Sequence, residues 1–246
     1  MSMADQVAPD SRIDHASAIR HWNSVTPDDN GMLGGYAQIS NVDLRGSSAF
    51  LAKVRRLIPS IGASKAPLSP SSPVSPFRLG VDCGAGVGRI TKGFLSRVCE
   101  VVDIVEPVET FAKVIRDGDL NAQGKIGDIY VTGLEAWNPT KKYDLIWNQW
   151  CLGHLTDGQL VDYLQRCKKA LSDSGLVVIK ENMRYSSDEF DELDNSVTRT
   201  EQKFKDLFLE AGYTILHAEE QMGIPQRLNL YPVKIFALRP PRPKQI

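Results

Sequence analysis

The stretch Asp82-Cys83-Gly84-Ala85-Gly86-Val87-Gly88-Arg89 sets three glycines at alternate positions between an acidic and a basic side chain. Leu79 and Val81 before it have the character of a buried strand end, and Ile90 to Leu95 after it that of a helix. A strand, a glycine turn and a helix let the backbone approach a ligand closely and leave free amides at the helix start. The spacing bears on which ligand. A dinucleotide loop reads Gly-x-Gly-x-x-Gly, whereas here the third glycine comes one residue early and Asp82 would repel a diphosphate. A cationic nucleoside with an amino-acid end, S-adenosylmethionine, suits the loop better. On this motif alone, an ordinary strand-to-helix turn stays open.

Further polar residues fall where neighbouring strands would end. Asp103-Ile-Val-Glu106 closes a β-branched run, and Glu106 stands where an acidic side chain could take ribose hydroxyls; a solvated strand-end glutamate is the alternative. Val131-Thr-Gly-Leu134-Glu135-Ala-Trp137 could present backbone amides to an adenine edge or be a plain turn. Tyr143 to Trp150, followed by Cys-Leu-Gly-His154-Leu-Thr-Asp157, crowds Gln149, Trp150 and His154 together. A lone histidine is often structural. Beside a cofactor loop, however, His154 is a candidate for proton transfer, its ordinary pKa of about 6.5 suiting acid–base work. The acidic run Asp188 to Asp194 would draw a cationic substrate if it lies by the same pocket, and is a solvated face otherwise.

These residues need a scaffold, and the apolar patterning supplies one. Asp14 can cap a helix through Trp22, with Ala18, Ile19 and Trp22 on its inner face. Gly31 to Tyr36 reads as a shaped loop. Ser47 or Ser48 can cap a helix through Ile58, with Phe50, Leu51, Val54 and Leu57 inward and Lys53, Arg55 and Arg56 on a solvated face. Strand patterns at Val101–Val105, Ile126–Val131, Tyr143–Trp147, Leu176–Lys180, Tyr213–Leu216 and Val233–Leu238 alternate with helical ones at Val108–Ile115, Gly158–Leu171 and Val197–Ala211. With the strand before the glycine loop, this makes an α/β fold: one doubly wound, mostly parallel, seven-stranded sheet with an N-terminal helical cap. The domain plan is a flexible N-terminus (1–13), a helical and lid segment (14–60), a flexible Ser/Pro-rich insertion (61–77) with Ser-Pro steps open to phosphorylation, a cofactor-binding catalytic core (78–239) and a tail (240–246).

Composition narrows the partners. The chain has 246 residues and a formal net charge of -1, which gives no global footprint for nucleic acid. No window approaches the roughly 18 apolar residues that cross a bilayer. Cys83, Cys99, Cys151 and Cys167 lack Cys-x-x-Cys spacing, so neither a metal site nor a disulfide framework is expected. The expectation is a monomeric cytoplasmic protein, with a nuclear location left open, that binds neither nucleic acid nor membrane.

Taken together, Gly31-Met-Leu-Gly-Gly-Tyr36, Asp82 to Arg89, Ile146-Trp-Asn-Gln-Trp150, Gly153-His-Leu-Thr-Asp157, Lys180-Glu-Asn-Met183, Asp194-Asn-Ser-Val-Thr-Arg199 and Phe236-Ala-Leu-Arg239 resemble the protein α-N-terminal methyltransferases. The resemblance covers roughly Trp22 to Arg239. It implies a Rossmann-like methyltransferase that uses S-adenosylmethionine, leaves S-adenosylhomocysteine, and methylates the free α-amine of proteins headed X-Pro-Lys or X-Pro-Arg after loss of the initiator methionine. By motif, Gly84, Arg89, Glu106, Leu134, Glu135 and Gln149 would hold the cofactor. Trp22, Leu33, Ile39, Trp150, His154, Asn182, Asp191, Asp194, Ser196 and Tyr231 would line the peptide channel. Within it, Asp194 and His154 would take or relay the amine proton, and Trp150 and Trp22 would offer aromatic faces to a cation. Leu33 and Ile39 would pack a proline ring, Asn182 would bond the first peptide unit, and Asp191 would pair with a lysine. Methylation of a small molecule or a lysine side chain, and a cofactor-binding scaffold without catalysis, are the competing readings.

Overall fold

The apolar runs that alternate along the sequence form strands separated by helices. The computed structural model describes residues 7–58 and 75–241. A 3₁₀ turn, Pro9–Arg12, precedes α1 (His15–Ser24) and the one-turn α2 (Asp29–Met32); another, Ala37–Ile39, leads into α3 (Ser40–Leu57). Next, β1 (Phe77–Cys83) enters the glycine loop, which leaves through a π-helical turn, Thr91–Leu95, continued as α4 (Ser96–Val98). The chain proceeds through β2 (Cys99–Val105), α5 (Glu109–Arg116), α6 (Asp119–Ala122), β3 (Ile126–Tyr130), β4 (Tyr143–Gln149), α7 (Asp157–Ala170) and β5 (Leu171–Asn182). A small hairpin, β6 (Glu189–Asp191) and β7 (Ser196–Thr198), precedes α8 (Glu201–Glu210), β8 (Thr214–Glu220) and β9 (Val233–Arg239).

Seven strands pair in the order β3-β2-β1-β4-β5-β9-β8, and only β9 runs against its neighbours. After β1 the chain winds outward through β2 and β3, then returns to place β4 on the other side of β1. That reversal opens a crevice at the carboxyl ends of β1 and β4, the place where such sheets bind ligands. Because successive strand residues face opposite ways, each strand feeds two cores. Ile146 and Ile179 join α7 and α8 on one face, while Trp147, Val178 and Ile104 meet Phe50, Leu51 and Val54 of α3 and Phe94 on the other. All four cysteines are free and buried. Among the described residues, no helix is long and apolar enough to cross a membrane, and no group of three or more His, Cys, Asp or Glu could hold a metal ion.

Several expectations are corrected. Neither Ser47 nor Ser48 caps a helix: α3 starts earlier, at Ser40, and Ser47 lies buried inside it as a polar contact for Lys180. Leu57, expected inward, is exposed at the frayed end. Lys53 and Arg55 do not simply face solvent, since Lys53 pairs with Glu219 and the Arg55 guanidinium stacks 4.4 Å over Phe77. Part of the Gly31–Tyr36 loop is helical, with Asp28 capping Gly31 N–H at 2.7 Å. The helix expected from Val197 begins only at Glu201, capped by Thr200, because residues 196–198 pair with 189–191 in the hairpin. Its apolar stripe of Val197, Phe204 and Leu207 matched a helix by period alone. Nor are residues 9–12 free of contacts. Arg12 pairs with Glu192 at 2.6 Å and lies 4.3 Å over the Phe190 ring, and Asp10 accepts from Asp157 N–H at 2.9 Å. The Ser/Pro-rich insertion falls largely on residues 59–74, which lie outside the described residues, as do 1–6 and 242–246.

Candidate active site

A cavity of about 310 Å³ opens at the carboxyl ends of β1, β2 and β4 under α1. Its floor is the glycine loop. Gly84, Gly86 and Gly88 all take positive φ (66°, 56° and 77°), and a Cβ on Gly84 would stand 2.4 Å from that of Cys151. The loop is held by Val105, whose carbonyl accepts from Gly84 N–H at 2.8 Å, and by Thr91, whose hydroxyl donates to the buried Asp82 at 2.6 Å. Burial pushes Asp82 up to about 6. Left-handed backbone strain and overpacking together predict that Gly84→Ala lowers stability by about 2 kcal/mol. A denaturant midpoint equal to that of the wild type would contradict this.

All six residues expected at the cofactor, Gly84, Arg89, Glu106, Leu134, Glu135 and Gln149, line this one cavity. Glu106 is buried at the end of β2, where Oε2 accepts from Gly86 N–H at 2.7 Å and Oε1 from Val108 N–H at 2.9 Å. Burial pushes it up to about 7 against the pull of those two amides. Each oxygen keeps a lone pair for a hydroxyl donor. The donor set therefore fits an adenosine with an amino-acid end: glycine loop for close approach, Glu106 for hydroxyls, buried Leu134 for a ring face, Arg89 for a carboxylate. Two of the six are already engaged from behind. Arg89 and Gln149 both bond to Asp43 of α3.

Trp22, Trp150 and His154 share the cavity. The Trp22 indole N–H donates to His154 Nε2 at 3.2 Å, so it meets the imidazole edge-on rather than offering only a ring face. Trp150 sits at φ 55°, its backbone N–H donating to the Lys180 carbonyl at 3.0 Å, and its ring already faces a cation, the Arg89 guanidinium 5.4 Å away. His154 is pushed below its ordinary pKa by burial, opposed by the Asp194 carboxylate and the Asn195 backbone. It is therefore neutral near pH 7, with Nε2 an acceptor.

Asp194 lies in the β6–β7 turn, and its Oδ1 is buried with no hydrogen-bond partner. Two features bring that turn to His154. A Cβ on Gly153 would stand 3.0 Å from the Val197 carbonyl, so the His154 turn and the hairpin are in close contact. The fully buried Arg199 then ties them, donating to the carbonyls of Leu152 and Leu155 and, at 2.8 Å, to Asp157 Oδ1.

Asp194 stands behind His154 rather than in the cavity lining, and the remaining channel residues do not line the cavity either. Leu33 and Ile39 are buried in the segment between α2 and α3. Asn182 ends β5 and Ser196 starts β7. Asp191 is exposed and caps Leu193 N–H at 2.8 Å. Tyr231 is 40% exposed, its hydroxyl donating to Glu189 at 2.9 Å beside Arg184. Sequence reasoning missed His15, which lines the cavity with a buried, unpartnered Nε2, and Glu181, whose Oε1 accepts from the Cys151 and Leu152 amides at 2.9 Å each. His15 carried a signal, lying at helical spacing from Ala18, Ile19 and Trp22. Glu181 and Arg199 carried none, since their partners, backbone groups and the Asp157 carboxylate, are distant in sequence.

Comparison with known proteins agrees with this geometry. A family model described as AdoMet dependent proline di-methyltransferase matches residues 10–239. An alpha N-terminal protein methyltransferase 1 of Schizosaccharomyces pombe is 39% identical over 92% of this chain and 96% of its own. The N-terminal Xaa-Pro-Lys N-methyltransferase 1-A of Xenopus laevis is 36% identical over 96% of this chain and 100% of its own. Among solved structures, a SAM-dependent methyltransferase of Leishmania major superposes with a TM-score of 0.79 at 30% identity, covering 92% of this chain and 82% of that one. With its glycine loop, strand-end glutamate and seven-stranded sheet, the chain belongs to the AdoMet-dependent proline di-methyltransferase family.

Proposed function

We propose that this protein transfers methyl groups from S-adenosylmethionine to the free α-amine of proteins headed X-Pro-Lys or X-Pro-Arg. The observation that carries the reading is the meeting of two sites in one place. A glycine loop with Glu106 adjoins the neutral His154, within the electrostatic reach of the Asp194 carboxylate. When bound, the cofactor supplies a methyl group activated by a sulfonium. Glu106 would hold the ribose hydroxyls, Leu134 and the residues around it the adenine, and Arg89 the carboxylate of the amino-acid end.

The rest is the work of this chain's side chains on the incoming amine. An α-amine has a pKa of about 7.7–8.0, so a weak base suffices to free its lone pair. Asp194 Oδ1, buried and unpaired, would accept one N–H and orient the nitrogen. His154 Nε2 would accept a second once the Trp22 indole yields it. Asn182 and Ser196 would bond the peptide backbone, while Asp191 and Tyr231, both exposed, would meet the basic side chain. An X-Pro pair is extended and stiff, which reduces the ordering cost on binding.

Because burial holds His154 below its ordinary pKa, the amine is the group expected to set the pH profile. With saturating cofactor, kcat/KM should rise about tenfold from pH 6 to 7 and level off above about 8. A plateau reaching down to pH 6 would mean that the enzyme binds the ammonium form. The reading itself is tested by mass spectrometry of a Ser-Pro-Lys-headed peptide beside its N-acetylated twin. Mass gain on the free peptide alone supports it. Labelling of both moves the reaction to a side chain, and labelling of neither sinks it.

A further inference from the structure

Behind the cavity wall, Asp43 of α3 is completely buried, a setting a carboxylate tolerates only when its charge is met. It is met by three side chains from three other parts of the fold. Arg89 Nη1 donates to Oδ2 at 2.8 Å, Gln149 Nε2 lies 2.9 Å from both oxygens, and the Lys180 ammonium pairs with Oδ1. Lys180, also completely buried, donates to the Asp43 carbonyl and Ser47 Oγ at 3.0 Å and to Gln221 Oε1 at 2.9 Å. Gln149 is held at its other end too, Oε1 accepting from the Trp147 indole at 3.2 Å.

Of this group only Arg89 and Gln149 reach the cavity. Both of the contacts that Arg89 makes to α3, with Asp43 and with Ser40, use Nη1. One carboxylate out of a ligand's reach thus fixes two side chains within it. Within this cluster the formal charges, one anion (Asp43) against two cations (Arg89 and Lys180), sum to +1. Buried ion pairs add little net stability, because desolvation offsets the attraction, whereas fixing a planar guanidinium for bidentate contact is something such a pair does well.

We infer that Asp43 is a positioning residue for the amino-acid end of the methyl donor, holding Arg89 and Gln149 at the angle that meets its carboxylate, with Lys180 keeping the local charge positive. The inference rests on the cofactor reading above. It also gives α3 a task that composition does not suggest: the helix orients part of the cofactor site from outside the pocket.

The test is calorimetric binding of two ligands to the full chain and to Asp43→Asn. S-adenosylhomocysteine carries the amino-acid end; 5′-methylthioadenosine is the nucleoside without it. Loss of a buried charged partner predicts S-adenosylhomocysteine weakened about 30-fold and methylthioadenosine less than about threefold. Should Asp43→Asn not fold, the pair Asp43→Asn with Lys180→Met, which removes one cation along with the anion, makes the same comparison. Equal weakening of both ligands, or of neither, overturns the positioning role and leaves a merely structural tie. A wild-type chain that binds neither ligand overturns the cofactor site, and the inference with it.

Discussion

Replacing Asp194 with Asn is expected to cut kcat for an X-Pro-Lys peptide about 100-fold at pH 7 while leaving S-adenosylhomocysteine affinity unchanged. Deprotonation alone cannot account for so much. With an α-amine pKa near 7.8, about one amine in seven is already neutral at pH 7, so a ground-state base contributes no more than about sevenfold. The remainder must come from orienting the nitrogen lone pair, the kind of term that a fixed, unpaired acceptor supplies. Asp194 Oδ1 is such an acceptor, buried without a partner in the β6–β7 turn. The loss should shrink to about tenfold at pH 9, where only orientation remains. A variant that raises KM and spares kcat would instead assign Asp194 to peptide attraction, and unchanged turnover would remove it from the mechanism.

The second large effect is expected at Glu106. Hydrogen bonds to a charged acceptor contribute about 1.5–3 kcal/mol each, so losing those to two ribose hydroxyls should weaken S-adenosylmethionine binding by at least about 100-fold in Glu106→Ala. Ala also strands the Gly86 and Val108 amides that the carboxylate now satisfies. Glu106→Gln keeps one acceptor and serves to separate binding from loop collapse. The wild type adds a pH signature. Burial raises this carboxyl to about 7 from an ordinary 4.5, so the folded free protein holds a proton that the unfolded chain releases. Stability from that group is fully present below about 4.5 and is lost as pH rises through about 7. If the ribose needs the ionised form, cofactor affinity should be about tenfold weaker at pH 6 than at pH 8, and the dependence should vanish in Glu106→Gln. Affinity flat with pH in the wild type would remove the carboxylate from the ribose.

Much of this was readable from the linear chain because the signals are local. The glycine spacing at 84, 86 and 88 encodes positive φ directly, since only glycine takes that conformation freely. The strand periodicity around Val81, Ile104 and Ile146 reports two-sided burial, and strands alternating with helices leave few topologies open. A strand end read from sequence is also a site read from sequence, which is why all six residues expected at the cofactor line one cavity.

What failed was local as well, and for a reason. Val197, Phe204 and Leu207 satisfy a helical period, yet Ser196–Thr198 gains more by pairing with Glu189–Asp191, and Arg199 must reach three partners across the turn. Ser47 has the chemistry of a cap, but Lys180 needs its hydroxyl in the core. Propensity sees neither claim.

The chain by itself thus determined the loop, the sheet and the family, because each follows from short-range rules of backbone conformation and apolar spacing. Tertiary structure alone decided which polar groups are spoken for: that Trp22 occupies His154, that Asp43 stands behind Arg89 and Gln149, and that Leu33 and Ile39 are buried away from the cavity. A buried charge or donor is satisfied by whatever group the fold brings within about 3 Å, and in these cases that group lies 46 to 132 residues away along the chain.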